Sequence, residues 1–223
     1  GYMSYRPLDE APDVSPLPLA ERGIAMLGSF NQSRKITQET AKNWMAVLQT
    51  IPNAHLYLKS KNLGEEQEAK RIRQLFKQLG LAPDRLHLHG HSPNVQAHLD
   101  LYKNLDLALD TFPYTGCTTT ADALWMGVPV LTIAGQSMVS RQAAAVLNAA
   151  GHSEWICSNR NELCNKAVAL LSDTDKLAHT RRHLRDDLNK SQLLDHANMA
   201  TELEKTFRIW WQKLLNNEGL SKS

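Results

Sequence analysis

Residues 105–133 read LDLALDTFPYTGCTTTADALWMGVPVLTI. A mainly apolar run, LDLALD (105–110), gives way to a loop rich in proline, glycine and hydroxyl side chains. A helical stretch, TTTADALWMG (118–127), follows, and VPVLTI (128–133) is a second apolar run. Strand runs that stay apolar are strands buried on both faces, the situation of a parallel sheet covered by its own crossover helices. The stretch is therefore one strand–helix–strand unit.

The same alternation extends outward in both directions. Upstream come IAMLGSF (24–30), the helical TQETAKNWMAVLQTI (37–51), AHLYLK (54–59), the helical GEEQEAKRIRQLFKQLG (64–80), RLHLHG (85–90) and the helical NVQAHLDLYKN (94–104). Trp44, Val47, Leu48 and Ile51 keep helical spacing, as do Ile72, Leu75, Phe76 and Leu79, with Gly80 as the stop. Downstream, SRQAAAVLNAAG (140–151) is helical and EWIC (154–157) is a short strand. Strands and helices taking turns imply a doubly wound α/β domain built on a parallel sheet. After residue 158 the pattern is purely helical, and the last helix carries Leu203, Phe207, Trp210, Trp211 and Leu214, an apolar face that needs a surface to cover it. Residues 1–20 hold four prolines and no sustained periodicity. Residues 1–22 accordingly read as an extended linker lying against a neighbouring domain, 23–216 as the folded lobe with its C-terminal helices, and 217–223 as a flexible tail.

Composition narrows the function. Lys and Arg number 25 against 23 Asp and Glu, a formal charge of +2, so the bulk field recruits neither nucleic acid nor anionic lipid and any anion must be bound locally. Three cysteines, Cys117, Cys157 and Cys164, without CxxC spacing point to a reducing compartment and a cytoplasmic protein. No apolar run approaches the length of a membrane span, about 18 residues.

In open α/β sheets, ligands bind beyond the carboxyl ends of the strands, where LDLALD delivers the TFPYTGCTTT loop. Gly116 permits a tight turn, and Thr118 and Thr119 enter a helix whose first N–H groups lack internal partners, an arrangement that attracts phosphate. An alternative stands beside it: one threonine caps the helix, with Asp122 completing a capping box from Thr119. A second constellation, GSFNQSRKIT (28–37), follows the first strand; Gly28 and Ser29 make the turn, and Asn31, Gln32, Arg34 and Lys35 supply donors and two positive charges. The alternative there is a solvated loop. Third, His87, His89 and His91 alternate along a strand with His98 in the next helix; strand-alternating histidines need not converge on a metal, and Ser92 with Pro93 reads as an N-cap followed by proline at the first helical position. Neither GxGxxG nor GxxxxGK[ST] occurs.

Taken together, GSFNQSRKI, LDTFPYTGCTTTADALWMGVPVLT and SRQAAAVLNAAG resemble the carboxyl-terminal catalytic lobe of the O-GlcNAc transferase-like family, especially its bacterial members with tetratricopeptide repeats, over about residues 20 to 215. The resemblance implies a Rossmann-like lobe forming the carboxyl-terminal half of a GT-B glycosyltransferase. It implies that Gln32 and Lys35 contact the diphosphate of a UDP-sugar, with Lys35 offsetting charge on the departing UDP. Thr118 and Thr119 would lie at the phosphate, Asp122 at the ribose, His98 near the uracil, and Ser92 where a backbone group reads the base. No metal or other cofactor is implied, because preorganised donors and a cation serve the leaving group. The implied activity is inverting transfer of GlcNAc from UDP-GlcNAc to Ser or Thr of acceptor proteins. A glucosyltransferase acting on Asn and a non-catalytic nucleotide-sensing or docking module are the alternatives. The implied partners are the amino-terminal catalytic lobe and acceptor-binding repeats, which these residues do not include. Three positions depart from the animal members: Cys117 replaces a histidine before the paired threonines, Asn94-Val95 replaces a lysine, and Leu101 replaces an arginine.

Overall fold

The computed structural model describes residues 3–216. Six strands form one parallel sheet: β1 (Met26–Ser29), β2 (His55–Lys59), β3 (Leu86–His89), β4 (Leu107–Leu109), β5 (Val130–Ile133) and β6 (Ile156–Cys157), in the order β3-β2-β1-β4-β5-β6. This is the doubly wound Rossmann order, with a topological switch point between β1 and β4. Leu27 pairs with Leu56 on one side and Leu107 on the other, and all three are fully buried. The apolar strand runs of the sequence have this cause: each central strand is covered on both faces.

The helices are α1 (Pro18–Arg22), α2 (Gln38–Thr50), α3 (Glu66–Gln78), α4 (Val95–Asp100), α5 (Thr118–Trp125), α6 (Gln142–Ala150), α7 (Arg160–Ser172), α8 (Thr174–Asn189) and α9 (His196–Asn216). α2 packs against α3 and α7, and α5 against α6 and α8. Right-handed crossovers running in opposite directions from the switch point put α2 and α5 on opposite faces. Trp44 of α2 is fully buried, stacks on Phe76 with ring centroids 6.3 Å apart, and donates its indole N–H to the Asp110 carbonyl at 2.9 Å. This last bond ties the core directly to the loop that follows β4.

Three local expectations are corrected. Gly28 and Ser29 are not a turn but the end of β1; a side chain at 28 would meet Leu105 at 2.4 Å and the Tyr57 carbonyl at 2.6 Å, so the glycine serves close strand packing. The N-cap of α4 is Asn94, whose Oδ1 accepts the Ala97 N–H at 2.7 Å, and not Ser92. The Thr119–Asp122 capping box does not form: Cys117 is the N-cap of α5, without a side-chain cap.

The proline-rich segment before β1 is extended, but it lies on its own lobe and ends in α1. Its Tyr5 and Leu17 are buried, and Arg181 of α8 reaches it from inside the core, donating to the Ser15 carbonyl at 2.8 Å, Ser15 Oγ at 2.9 Å and the Leu105 carbonyl at 2.7 Å. Burial lowers the Arg181 guanidinium to about 10, partly countered by Asp106. Periodicity carries no information about a segment held by individual anchors, which is why the composition suggested a linker. The expected tail at 217–223 lies outside the described residues.

Candidate functional site

The loops after β1 and β4 meet at the switch point. Asp110, at the end of the β4 run, is buried and accepts four hydrogen bonds: on Oδ1 from the Thr111 N–H (2.9 Å), the Gly116 N–H (2.7 Å) and Asn31 Nδ2 (3.1 Å), and on Oδ2 from Thr132 Oγ1 (2.7 Å). Burial raises its pKa, and the bonds from Thr132, Gly116 and Thr111, with the Lys35 charge, oppose that rise. The carboxylate thus folds residues 111–116 around itself. Gly116 belongs to the same device, since a Cβ there would stand 2.6 Å from Thr120 Oγ1 and 3.0 Å from Asp110 Oδ1. On the far side of the loop, Thr40 Oγ1 donates to the Phe112 carbonyl at 2.7 Å and Thr115 Oγ1 to the Val139 carbonyl at 2.9 Å.

Lys35 closes a short 3-10 turn, Ser33–Lys35, directly after β1. Its ammonium donates to the Thr115 carbonyl at 2.9 Å and to Asn31 Oδ1 at 3.3 Å, and it stands 4.1 Å from the centroid of the Tyr114 ring. Thr119 Oγ1 donates to that same Asn31 oxygen at 3.2 Å. One amide therefore joins the lysine of the first loop to the threonine at the start of α5. An ammonium carries three donors, and the protein engages two of them here. Burial lowers the Lys35 pKa, and the Asp110 charge pulls it back up. Thr118, Gln32 and Arg34 are exposed.

Asp122 follows Thr118 and Thr119 by one helical turn and shares their side of α5. Its Oδ1 accepts the Tyr5 hydroxyl at 2.7 Å; burial raises its pKa and that bond lowers it. Toward β2 and β3, His98 lies in an aromatic cluster with Phe30 at 5.5 Å and Tyr102 at 6.1 Å between ring centroids. Among the described residues, its Nδ1 and Ser92 Oγ are both buried without a hydrogen-bond partner. Burial, with a smaller contribution from Lys59, holds the imidazole down at about 4, so it is neutral near pH 7. His87 pairs with His55 at 2.9 Å, and among the described residues no group of three or more His, Cys, Asp or Glu is placed to hold a metal ion.

Comparison with known proteins gives this arrangement a family. The model of Glycosyl transferase family 41 matches residues 18–203. The chain belongs to that family. It is 34% identical, over 217 residues, to the probable UDP-N-acetylglucosamine–peptide N-acetylglucosaminyltransferase SPINDLY of Petunia hybrida; the match takes in 97% of this chain and 23% of that one. The UDP-N-acetylglucosamine–peptide N-acetylglucosaminyltransferase of Caenorhabditis elegans is 31% identical over 186 residues, 83% of this chain and 16% of its own. Among solved structures, a mutant O-GlcNAc transferase of Thermobaculum terrenum superposes with a TM-score of 0.84 at 33% identity, covering 93% of this chain and 39% of that one. Anabaena HepE in complex with UDP-glucose shares the fold at a TM-score of 0.56 and 18% identity, over 86% of this chain and 50% of its own. The chain thus spans less than a quarter of the length of the plant relative it matches. GT-B glycosyltransferase architecture, with this lobe as the carboxyl-terminal half, agrees with these superpositions.

Of the residues that sequence reasoning singled out in this family-41 lobe, Lys35 and Thr119 meet on Asn31, and Asp122 lies one turn further along α5. Among the described residues, no side-chain hydrogen bond joins Gln32, Thr118, His98 or Ser92 to Lys35. Asn31 was noted only as a donor, whereas its carbonyl oxygen is the shared acceptor. Asp110 was missed as the loop organiser, although a carboxylate closing an apolar strand is a visible signal of it. Tyr5 was missed because it lies in a segment without pattern.

Proposed function

We propose that the chain is the UDP-sugar-binding lobe of an inverting protein glycosyltransferase, transferring GlcNAc from UDP-GlcNAc to Ser or Thr of proteins together with an amino-terminal lobe and acceptor-binding repeats in a cytosolic setting. The observation that carries this is the meeting of Lys35 and Thr119 on Asn31. In the proposed reaction the acceptor hydroxyl gives up its proton to a base of the intact active site or to solvent and attacks the anomeric carbon while the bond from that carbon to the diphosphate oxygen breaks, with inversion. The leaving UDP keeps the electron pair. Lys35, through its remaining donor, Gln32 and the Thr118–Thr119 end of α5 receive that charge, and such preorganised donors act without reorganising at the moment of reaction. Asp122 then holds the ribose, and neutral His98 with Ser92 faces the base.

Calorimetric titration of the chain with UDP tests the reading. Saturable binding is expected. Lys35→Ala should weaken it by about tenfold or more, the scale of a charge-assisted contact, while Arg34→Ala stays within about twofold. Equal effects of the two substitutions, or no saturable heat with UDP, would reject the proposal; a GDP titration run in parallel reports which base the lobe prefers.

A further inference from the structure

The segment before β1 lies along the start of α5. Cys117 Sγ, at the N-cap, donates to Met3 Sδ at 3.0 Å, and two residues later in that segment the Tyr5 hydroxyl donates to Asp122 Oδ1 at 2.7 Å. The placement is enforced from several sides. The Tyr5 N–H donates to the Leu193 carbonyl at 3.0 Å and its ring is buried, while Arg185 of α8 donates both to the Pro12 carbonyl at 2.6 Å and to the carbonyl of Trp125, the last residue of α5, at 2.9 Å. The segment and α5 are therefore fastened to each other at both ends of the helix. Among the described residues, the Asp122 carboxylate has one hydrogen-bond partner, Tyr5, on Oδ1, and Oδ2 accepts no bond.

A carboxylate that receives a vicinal diol must hold a defined rotamer, and a hydroxyl donor on one oxygen supplies that constraint. We propose that Tyr5 is a positioning residue of the donor site, orienting Asp122 toward the ribose hydroxyls of the bound nucleotide and making the segment before β1 an integral part of that site. This rests on the reading of Asp122 as the ribose contact.

The test compares UDP with 2′,3′-dideoxy-UDP by calorimetry on the chain, Tyr5→Phe, Asp122→Ala and the double variant. The chain should prefer UDP, and Asp122→Ala should abolish that preference. Tyr5→Phe keeps the buried ring; it should weaken UDP by about fivefold, the scale of one hydrogen bond, and leave the dideoxy analogue unchanged. In the double variant Tyr5→Phe should add nothing. If Asp122→Ala abolishes the preference but Tyr5→Phe weakens both nucleotides equally, or neither, Tyr5 is structural only and the inference fails while the ribose reading stands. A preference that survives Asp122→Ala would overturn the ribose reading itself, and the inference with it.

Discussion

Asn31 uses its amide in both directions, donating to Ser29 Oγ and Asp110 Oδ1 and accepting from Lys35 and Thr119. Its orientation is thereby set by the network, and with it the distance between the cation and α5. At the residue scale, then, the types needed for phosphate chemistry were legible as motifs, but their mutual geometry depends on an amide and a carboxylate that no motif names. His98 illustrates a different limit. An imidazole in a helix reads equally as packing or as a ligand contact, and its burial against Phe30 and Tyr102 is a tertiary fact. Held at about 4 against its ordinary 6.5, it stays neutral in the folded protein over a range where the unfolded chain takes up a proton. Its contribution is therefore intact above about 6.5 and lost as the pH falls to about 4. His98→Leu should lose less stability than the unmodified chain across that window in urea melts, and an NMR titration of the His98 ring should show a midpoint near 4. A midpoint near 6.5 would overturn this account of its burial.

Elements were legible wherever a long apolar period ran through them, and their ends were not. α2 and α3 follow from stripes of Trp44, Val47, Leu48 and of Ile72, Phe76, all buried. The beginning of α4 was misassigned because Ser-Pro is a good local start signal, whereas the backbone turns two residues later and Asn94 supplies the cap. Asn94→Ala should cost about 1 kcal/mol of stability, while Ser92→Ala, whose hydroxyl has no partner among the described residues, should change it by less than about 0.5 kcal/mol. Urea denaturation of the two variants checks this; a larger loss from Ser92→Ala would return the cap to that residue. The loop of residues 111–116 shows why connections resist reading. Its shape comes from Asp110 within and from Thr40 and Val139 outside, elements far apart in sequence.

On the scale of the whole molecule, α9 is the feature the lobe does not absorb. Phe207 is 58% exposed and Trp210 and Trp211 are 61% exposed each, on one amphipathic helix. Apolar surface of this extent drives association. Sedimentation velocity should show the chain self-associating with concentration, and Phe207→Ser, Trp210→Ser and Trp211→Ser together should abolish that while leaving the melting temperature of the lobe in place. A chain that sediments as a monomer at every concentration, or a variant whose melting temperature collapses, would contradict this picture of α9. Arg181 gives the opposite case, a charged side chain that is buried because it joins the segment before β1 to the turns before β4.

Alternating apolar strands and amphipathic helices were enough to specify a doubly wound parallel sheet, because burial on both faces of a strand and on one face of a helix imposes periods that a linear sequence records. The same record held the donors of two loops and the family resemblance. Which strands neighbour each other, the meeting of Lys35 and Thr119 on Asn31, the folding of 111–116 about Asp110, and the docking of Tyr5 on Asp122 were decided only in three dimensions. Those outcomes depend on which particular side chains and strands meet in space, and such individual meetings leave no period to read.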